Sequence, residues 1–155
     1  MSSRLYSVVF SGITVTVAQD LFMILPSASR TVRLHGLMLG TLAAVNTNLQ
    51  WNVKFGATTV GSGGTAPTPN PLDSSDAAAG FTARVNDTTI ASAGTIITLH
   101  NSCFNENAGY DFWWTPETRP TAKGTSASNT RLVVGLVTPA GSVSMSGTLY
   151  VEEIG

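Results

Sequence analysis

The segment Leu49-Gln50-Trp51-Asn52-Val53-Lys54-Phe55 decides the fold class. Large apolar side chains hold every second position, and Gln50, Asn52 and Lys54 hold the others. Successive side chains of an extended strand point to opposite faces, so one face of this strand meets a core and the other meets water. The alternation recurs outward in both directions. Toward the N-terminus, Val32, Leu34, Gly36 and Met38 alternate with Arg33 and His35, and Leu21–Leu25 is a continuous apolar run between Asp20 and Pro26. Tyr6–Phe10 and Ile13–Val17 read as two short strands separated by a Ser11-Gly12 turn. Toward the C-terminus come Phe81–Val85, Ile96–Leu99, Tyr110–Trp114 and Leu132–Val137. Val143, Met145, Gly147, Leu149 and Val151 then alternate with Ser144, Ser146, Thr148 and Tyr150. About eight to ten strands at this spacing predict an all-β sandwich or barrel. Helix signals are few. Leu37–Val45 is uncharged but carries Gly40 and reads as strand and loop, while Asp73–Gly80 has the cap, alanines and closing glycine of one or two helical turns.

The 155 residues fit one domain, 1–155, large enough to bury a real core. Only 11% of them are charged, against roughly 25% in ordinary soluble domains. Eight Lys+Arg against nine Asp+Glu leave no electrostatic footprint for nucleic acid or an anionic membrane. So few charges also disfavour a free monomer, which predicts a surface covered by other protein. The start of the chain lacks the apolar stretch of a signal peptide, and Leu21–Leu25 is too short to span a bilayer, so synthesis in a cytoplasm is expected. Asn86-Asp87-Thr88 is then a chance glycosylation match.

Residues 56–80 break the strand rhythm with glycines and with Pro67, Pro69 and Pro71. A segment this long without strand pattern is an arm or a functional loop. In a polyproline II path ten such residues span about 31 Å, enough to reach a neighbouring subunit. The cluster Gly61-Ser62-Gly63-Gly64-Thr65 lacks the Lys-Ser/Thr end of a phosphate loop and reads as a flexible turn.

Catalytic and ligand-binding patterns are nearly absent. Glu106, Asp111 and Glu117 beside Tyr110, Trp113 and Trp114 are the one arrangement of acids and aromatics with a glycosidase flavour, and their spacing reads as loop and rim groups. His35 and His100 have no metal-ligand spacing and read as structural strand residues. No nucleophile elbow occurs. Cys103, the single cysteine, reads as a small core residue and excludes both a disulfide framework and a cysteine-based zinc site. Neither a cofactor nor a metal is expected, and the chain is not expected to be an enzyme.

Tyr110-Asp111-Phe112-Trp113-Trp114 remains, followed by the rigid turn Pro116-Glu117-Thr118-Arg119-Pro120. On a strand, Phe112 and Trp114 share one face and Asp111 and Trp113 the other. An unpaired aspartate avoids burial, so Trp114 belongs to the core and Trp113 to the surface. Candidate protein-interface residues are therefore Trp113, Asp111 and Arg119, together with Pro67, Pro69 and Pro71 of the arm.

Five stretches carry a resemblance: Asp20-Leu21-Phe22-Met23-Ile24, Gly63–Pro69, Phe104-Asn105 to Gly109, Trp114–Glu117 and the terminal Tyr150–Gly155. In this order the chain resembles small virion proteins of tailed bacteriophages, of the head decoration or capsid cement type. The resemblance implies a jelly-roll-like antiparallel β-sandwich, to which residues 56–80 add one long Gly/Pro-rich loop. It further implies a homotrimer on the outer capsid surface, with the major capsid protein as partner and no active site. The alternative is a carbohydrate- or receptor-binding module of a phage tail or fibre, with Trp113 and Trp114 stacking on sugar rings.

Overall fold

The computed structural model describes residues 3–42, 47–125, 130–138 and 141–155. Its strands are β1 (Ser3–Val15), β2 (Gln19–Leu25), β3 (Thr31–Thr41), β4 (Asn48–Phe55), β5 (Asn70–Pro71), β6 (Thr82–Asp87), β7 (Ile97–Asn105), β8 (Tyr110–Trp113), β9 (Thr121–Lys123), β10 (Leu132–Thr138) and β11 (Val143–Ile154). Among the described residues there is no α-helix. One sheet runs β5-β1-β11-β3-β8, with β9 also on β3, and the other runs β6-β2-β10-β4-β7. Every ladder is antiparallel. The chain is an all-β sandwich of two antiparallel sheets.

Pairing follows a simple order. β1 with β11, β2 with β10, β3 with β8 and β4 with β7 make one long hairpin, its two limbs running in opposite directions. Two further ladders, β11 with β3 and β10 with β4, roll that hairpin into two facing sheets.

The alternating positions supply the core between them. Leu49, Trp51 and Val53 of β4 are fully buried, as are Met145, Leu149 and Val151 of β11. Around Trp51 the rings of Tyr110, Phe112 and Trp114 gather at centroid distances of 5.6, 5.7 and 6.3 Å, within the range of favourable aromatic pairs. The Leu21–Leu25 run does not alternate because both of its faces are covered. Phe22 and Ile24 enter the main core, while Met23 joins Ala57, Ala91 and Val133 in a second cluster on the far side of the sheet. A register shift against β10 at Val134/Gly135 turns Leu21 inward beside Phe22.

Residues 56–80 are not a projecting arm. Thr59, Ser62 and Thr65 bridge to Ser92, Thr89 and Val85, so the first half lies over Met23 and Val133 on the outside of the second sheet. The chain then crosses to the other sheet, where Asn70 and Pro71 pair with Ser7 and Tyr6. Leu72 N–H donates to the Leu5 carbonyl at 2.9 Å, Tyr6 O–H to the Ala77 carbonyl at 2.9 Å, and Gly80 N–H to the Glu153 carboxylate at 2.7 Å. The segment is a strap that closes one side of the sandwich. Its proline pattern is irregular because its partners lie elsewhere in the chain.

Smaller expectations are corrected by the same physics. Ser11-Gly12 does not separate a pair of strands: β1 runs through it, with the pairing skipping from Phe10↔Gly147 to Ile13↔Met145 and Gly12 at φ 64°. A glycine with positive φ serves a bulge as readily as a turn. Gly61–Thr65 is held, with Gly64 N–H donating to Asp87 at 3.0 Å. A Cβ on Gly64 would collide with the Val85 carbonyl oxygen, which is why glycine stands there. Residues 73–80 form no helix but a single turn, closed by Asp76 N–H to the Asp73 carbonyl at 3.0 Å, with the Asp73 carboxylate accepting the N–H and O–H of Ser75 at 2.9 and 2.7 Å. Cys103 is exposed, because β7 is an edge strand whose outward positions nothing covers. The expected strand-and-loop at Leu37–Val45 is β3 as far as Thr41, and residues 43–46 lie outside the described residues.

Candidate functional site

β8 pairs with β3 along Tyr110↔Leu39 to Trp113↔Gly36, and its side chains divide as strand geometry requires. Trp114, just past the strand and held by its N–H to the His35 carbonyl at 3.0 Å, is 3% exposed and packs edge-on against Phe112 and His100. Trp113 is 54% exposed on the outer face of the sheet, and Asp111 is exposed on the same side. The Trp113 ring lies over Gly36, where a Cβ would come within 2.6 Å of it, and stacks on Tyr150 of β11 at 5.2 Å and 19°. An aromatic laid over a cross-strand glycine covers backbone that the glycine leaves bare. Tyr150 O–H reaches Met38 Sδ at 3.8 Å. Beside this pair a shallow groove of about 750 Å³ runs past Val9, Met38, Asp111, Ser146 and Thr148. The surface is flat, aromatic at one end and hydroxyl-lined along its length.

At the other end of the same face Glu152 accepts from the Ser3 hydroxyl and pairs with His35 at 2.8 Å and with Arg33 at 3.9 Å. Burial alone would raise its carboxyl, but Ser3, His35 and Arg33 outweigh burial and hold it below the usual glutamate range. His35 is thus a structural histidine. Among the described residues no group of three or more His, Cys, Asp or Glu could hold a metal ion. Glu106, Asp111 and Glu117 are not gathered into a cleft: Glu106 is buried, while the other two are exposed.

The interface candidates separate into two places. Trp113 and Asp111 share the outer face at the β8 end, and Arg119 lines a cleft of about 410 Å³ with Phe55, Leu99, His100 and Glu117. Pro71 pairs with Tyr6 at the β1 edge, Pro69 just before it is buried, and Pro67 lies on the strap between the Thr65–Val85 bridge and that pairing. Four strand spacings separate the two edges, about 19 Å.

Sequence reasoning missed an ionic layer on the outside of the second sheet. Asp20 pairs with Lys54 at 3.2 Å and accepts Ala91 N–H at 2.6 Å, though it is only 1% exposed. Directly opposite it on β6, Asp87 takes both Arg84 bonds, at 2.8 and 2.6 Å. Burial pushes the Asp20 carboxyl above its ordinary range, against the opposing pull of Ala91 N–H and Lys54. These groups fasten the strap and the 85–95 segment to the sheet. The available signal was an aspartate bordering an apolar run, which reads equally well as a strand end.

No family model matches the chain, and no curated protein does. Among solved structures it is similar to VP17, a capsid protein of bacteriophage P23-77, at 9% identity over 100% of this chain and 98% of that one, with a TM-score of 0.18. It is also similar to the infectious bursal disease virus VP2 subviral particle, at 14% identity over 98% of this chain and 41% of that one, again with a TM-score of 0.18.

Proposed function

We propose that this chain is a structural virion protein of the phage head decoration type: one jelly-roll domain that binds the outside of a capsid as a homotrimer. The observation that carries the reading is the exposed Trp113 ring stacked on Tyr150 beside a shallow, hydroxyl-lined groove. Half-exposed aromatics are the residues that anchor protein interfaces. The rolled hairpin supports the jelly roll, an architecture frequent in capsid proteins, and that step is an analogy of fold. A cement protein gains strength from several modest contacts on neighbouring capsid subunits, with no need for a deep site. A three-fold arrangement would match the symmetry of a capsid lattice.

Co-sedimentation with purified capsids of the phage that encodes the chain tests this reading. Binding that fails when Trp113 becomes alanine is expected, and no binding by the wild-type chain would refute it. The stacked indole with adjacent Ser146 and Thr148 hydroxyls also favours a second reading, a saccharide-binding module. A glycan array that lights up while capsids stay unbound would establish that one.

A further inference from the structure

Seventeen charged side chains, eight basic and nine acidic, can be accounted for one by one. Ten form ion pairs: Arg4–Asp76, Arg30–Glu153, Arg33–Glu152, Lys54–Asp20 and Arg84–Asp87. Arg131 donates to the Ala57 carbonyl, Asp73 holds the Ser75 turn, and Glu106 is buried. Four are left: Asp111, Glu117, Arg119 and Lys123, none ion-paired to a described residue. All four fall on one edge of one sheet.

Their order along that edge has a symmetry. β8 runs against Leu39–Gly36 and β9 against Arg33–Thr31, joined through Trp114 N–H to the His35 carbonyl and Leu34 N–H to the Pro120 carbonyl, both 3.0 Å. Residues 110–123 therefore follow β3 along most of its length. Asp111 sits opposite Met38 and Lys123 opposite Thr31, about 23 Å apart at the usual strand rise. Between them the Thr115–Thr118 turn, closed by Thr118 N–H to the Thr115 carbonyl at 3.0 Å, presents Glu117 and then Arg119. The charges read minus, minus, plus, plus. Turned end for end, that row meets its own complement.

We infer that this edge is a self-association surface, which pairs with the same edge of a second copy across a two-fold axis near Thr118. Asp111 of each copy faces Lys123 of the other, and Glu117 of each faces Arg119 of the other. A two-fold contact repeats one patch on both subunits, so only a patch complementary to itself can form it. A same-direction alignment would set like charges together. Exposed ion pairs of this kind fix orientation more than they add affinity. Covered apolar surface adds the affinity: Trp113, and the cleft where Leu99 is 40% exposed.

The test uses two variants of the full chain. Asp111→Lys with Glu117→Lys makes the edge wholly positive, and Arg119→Glu with Lys123→Glu makes it wholly negative. By light scattering at micromolar concentration, the wild type is expected at two or six times the 16.1 kDa chain mass. Each variant is expected at half the wild-type mass, and an equal mixture of the two is expected to restore it. The exposed pair Asp111→Lys and Lys123→Glu, as separate single variants, gives the same comparison should Arg119 matter for folding. A wild-type monomer or trimer overturns the contact, as do variants of unchanged mass or a mixture that stays dissociated. The inference stands apart from the virion reading: a trimer overturns this contact alone, a dimer overturns the trimer alone, and a hexamer supports both.

Discussion

Replacing each of two adjacent tryptophans by alanine should have very different consequences. Trp114 is 3% exposed and packs edge-on against Trp51, Phe112 and His100 in the main core. Truncating a buried tryptophan removes its transfer free energy and leaves a cavity, together about 3–5 kcal/mol. For a domain of this length each kcal/mol lowers the melting temperature by about 2–4 °C, so Trp114→Ala is expected to lose about 6–20 °C. Trp113 is 54% exposed and forfeits mainly its stack on Tyr150 and its cover over Gly36. An aromatic pair contributes about 0.5–1.5 kcal/mol, which gives about 1–6 °C for Trp113→Ala. Thermal melts by circular dichroism, at a concentration where both variants have the same mass, read the difference directly. Equal losses would refute the assignment of the two indoles to opposite faces.

Three further outcomes follow from the packing and ionic contacts. Asp20→Asn strands Lys54 beneath the strap and should cost about 3–5 kcal/mol by denaturant unfolding, whereas Asp20→Leu combined with Lys54→Met should recover much of that loss. Glu152 is held below its unfolded value, so its stabilisation is present above the ordinary glutamate pKa and is lost as pH falls through the folded value. Melts below pH 5 should therefore fall less steeply for Glu152→Gln than for the wild type; Asp20, shifted upward, acts in the opposite sense and is unchanged between the two proteins. Gly56→Ala drives a Cβ into the Thr95 carbonyl oxygen at φ 100°, where β4 turns into the strap. Strain of that kind costs about 1–3 kcal/mol before the clash is counted, and a melt indistinguishable from wild type would contradict the turn geometry.

What can be read from the chain alone follows the range of the forces involved. Side-chain alternation is local and signed, so the strands at Leu49–Phe55 and Val143–Val151 and the opposite faces of Trp113 and Trp114 are legible. The strap is not. Its anchors on Tyr6, Leu5 and Glu153 are remote in sequence, and glycine and proline leave no periodicity to read. The bulge at Gly12 carries the same residues as a turn, and only the β11 register separates them. The exposure of Cys103 escapes the sequence because an edge strand and a central strand share one pattern, while exposure depends on neighbours. The candidate site is half legible: Asp111, Trp113 and Arg119 stand out in the chain, but their balance with Glu117 and Lys123 emerges only when β8 and β9 are laid along β3.

The pairing of the outermost strands has a consequence for how the chain reaches this structure. β1 lies between β11 and the two-residue β5, with Ser3 opposite Ile154. During synthesis β1 emerges long before β11 and must wait for it before their long ladder can close. Contacts so distant in sequence make folding slow, on the millisecond-to-second scale of all-β sandwiches, because loop-closure entropy is lost before the pairing returns it. Until then Val8 and Phe10, buried in the finished fold, stand uncovered on a nascent chain rich in β-branched residues. Such an intermediate is prone to aggregate. Yield in a recombinant host should therefore depend more on the rate of synthesis and on chaperone supply than on the stability of the final sandwich.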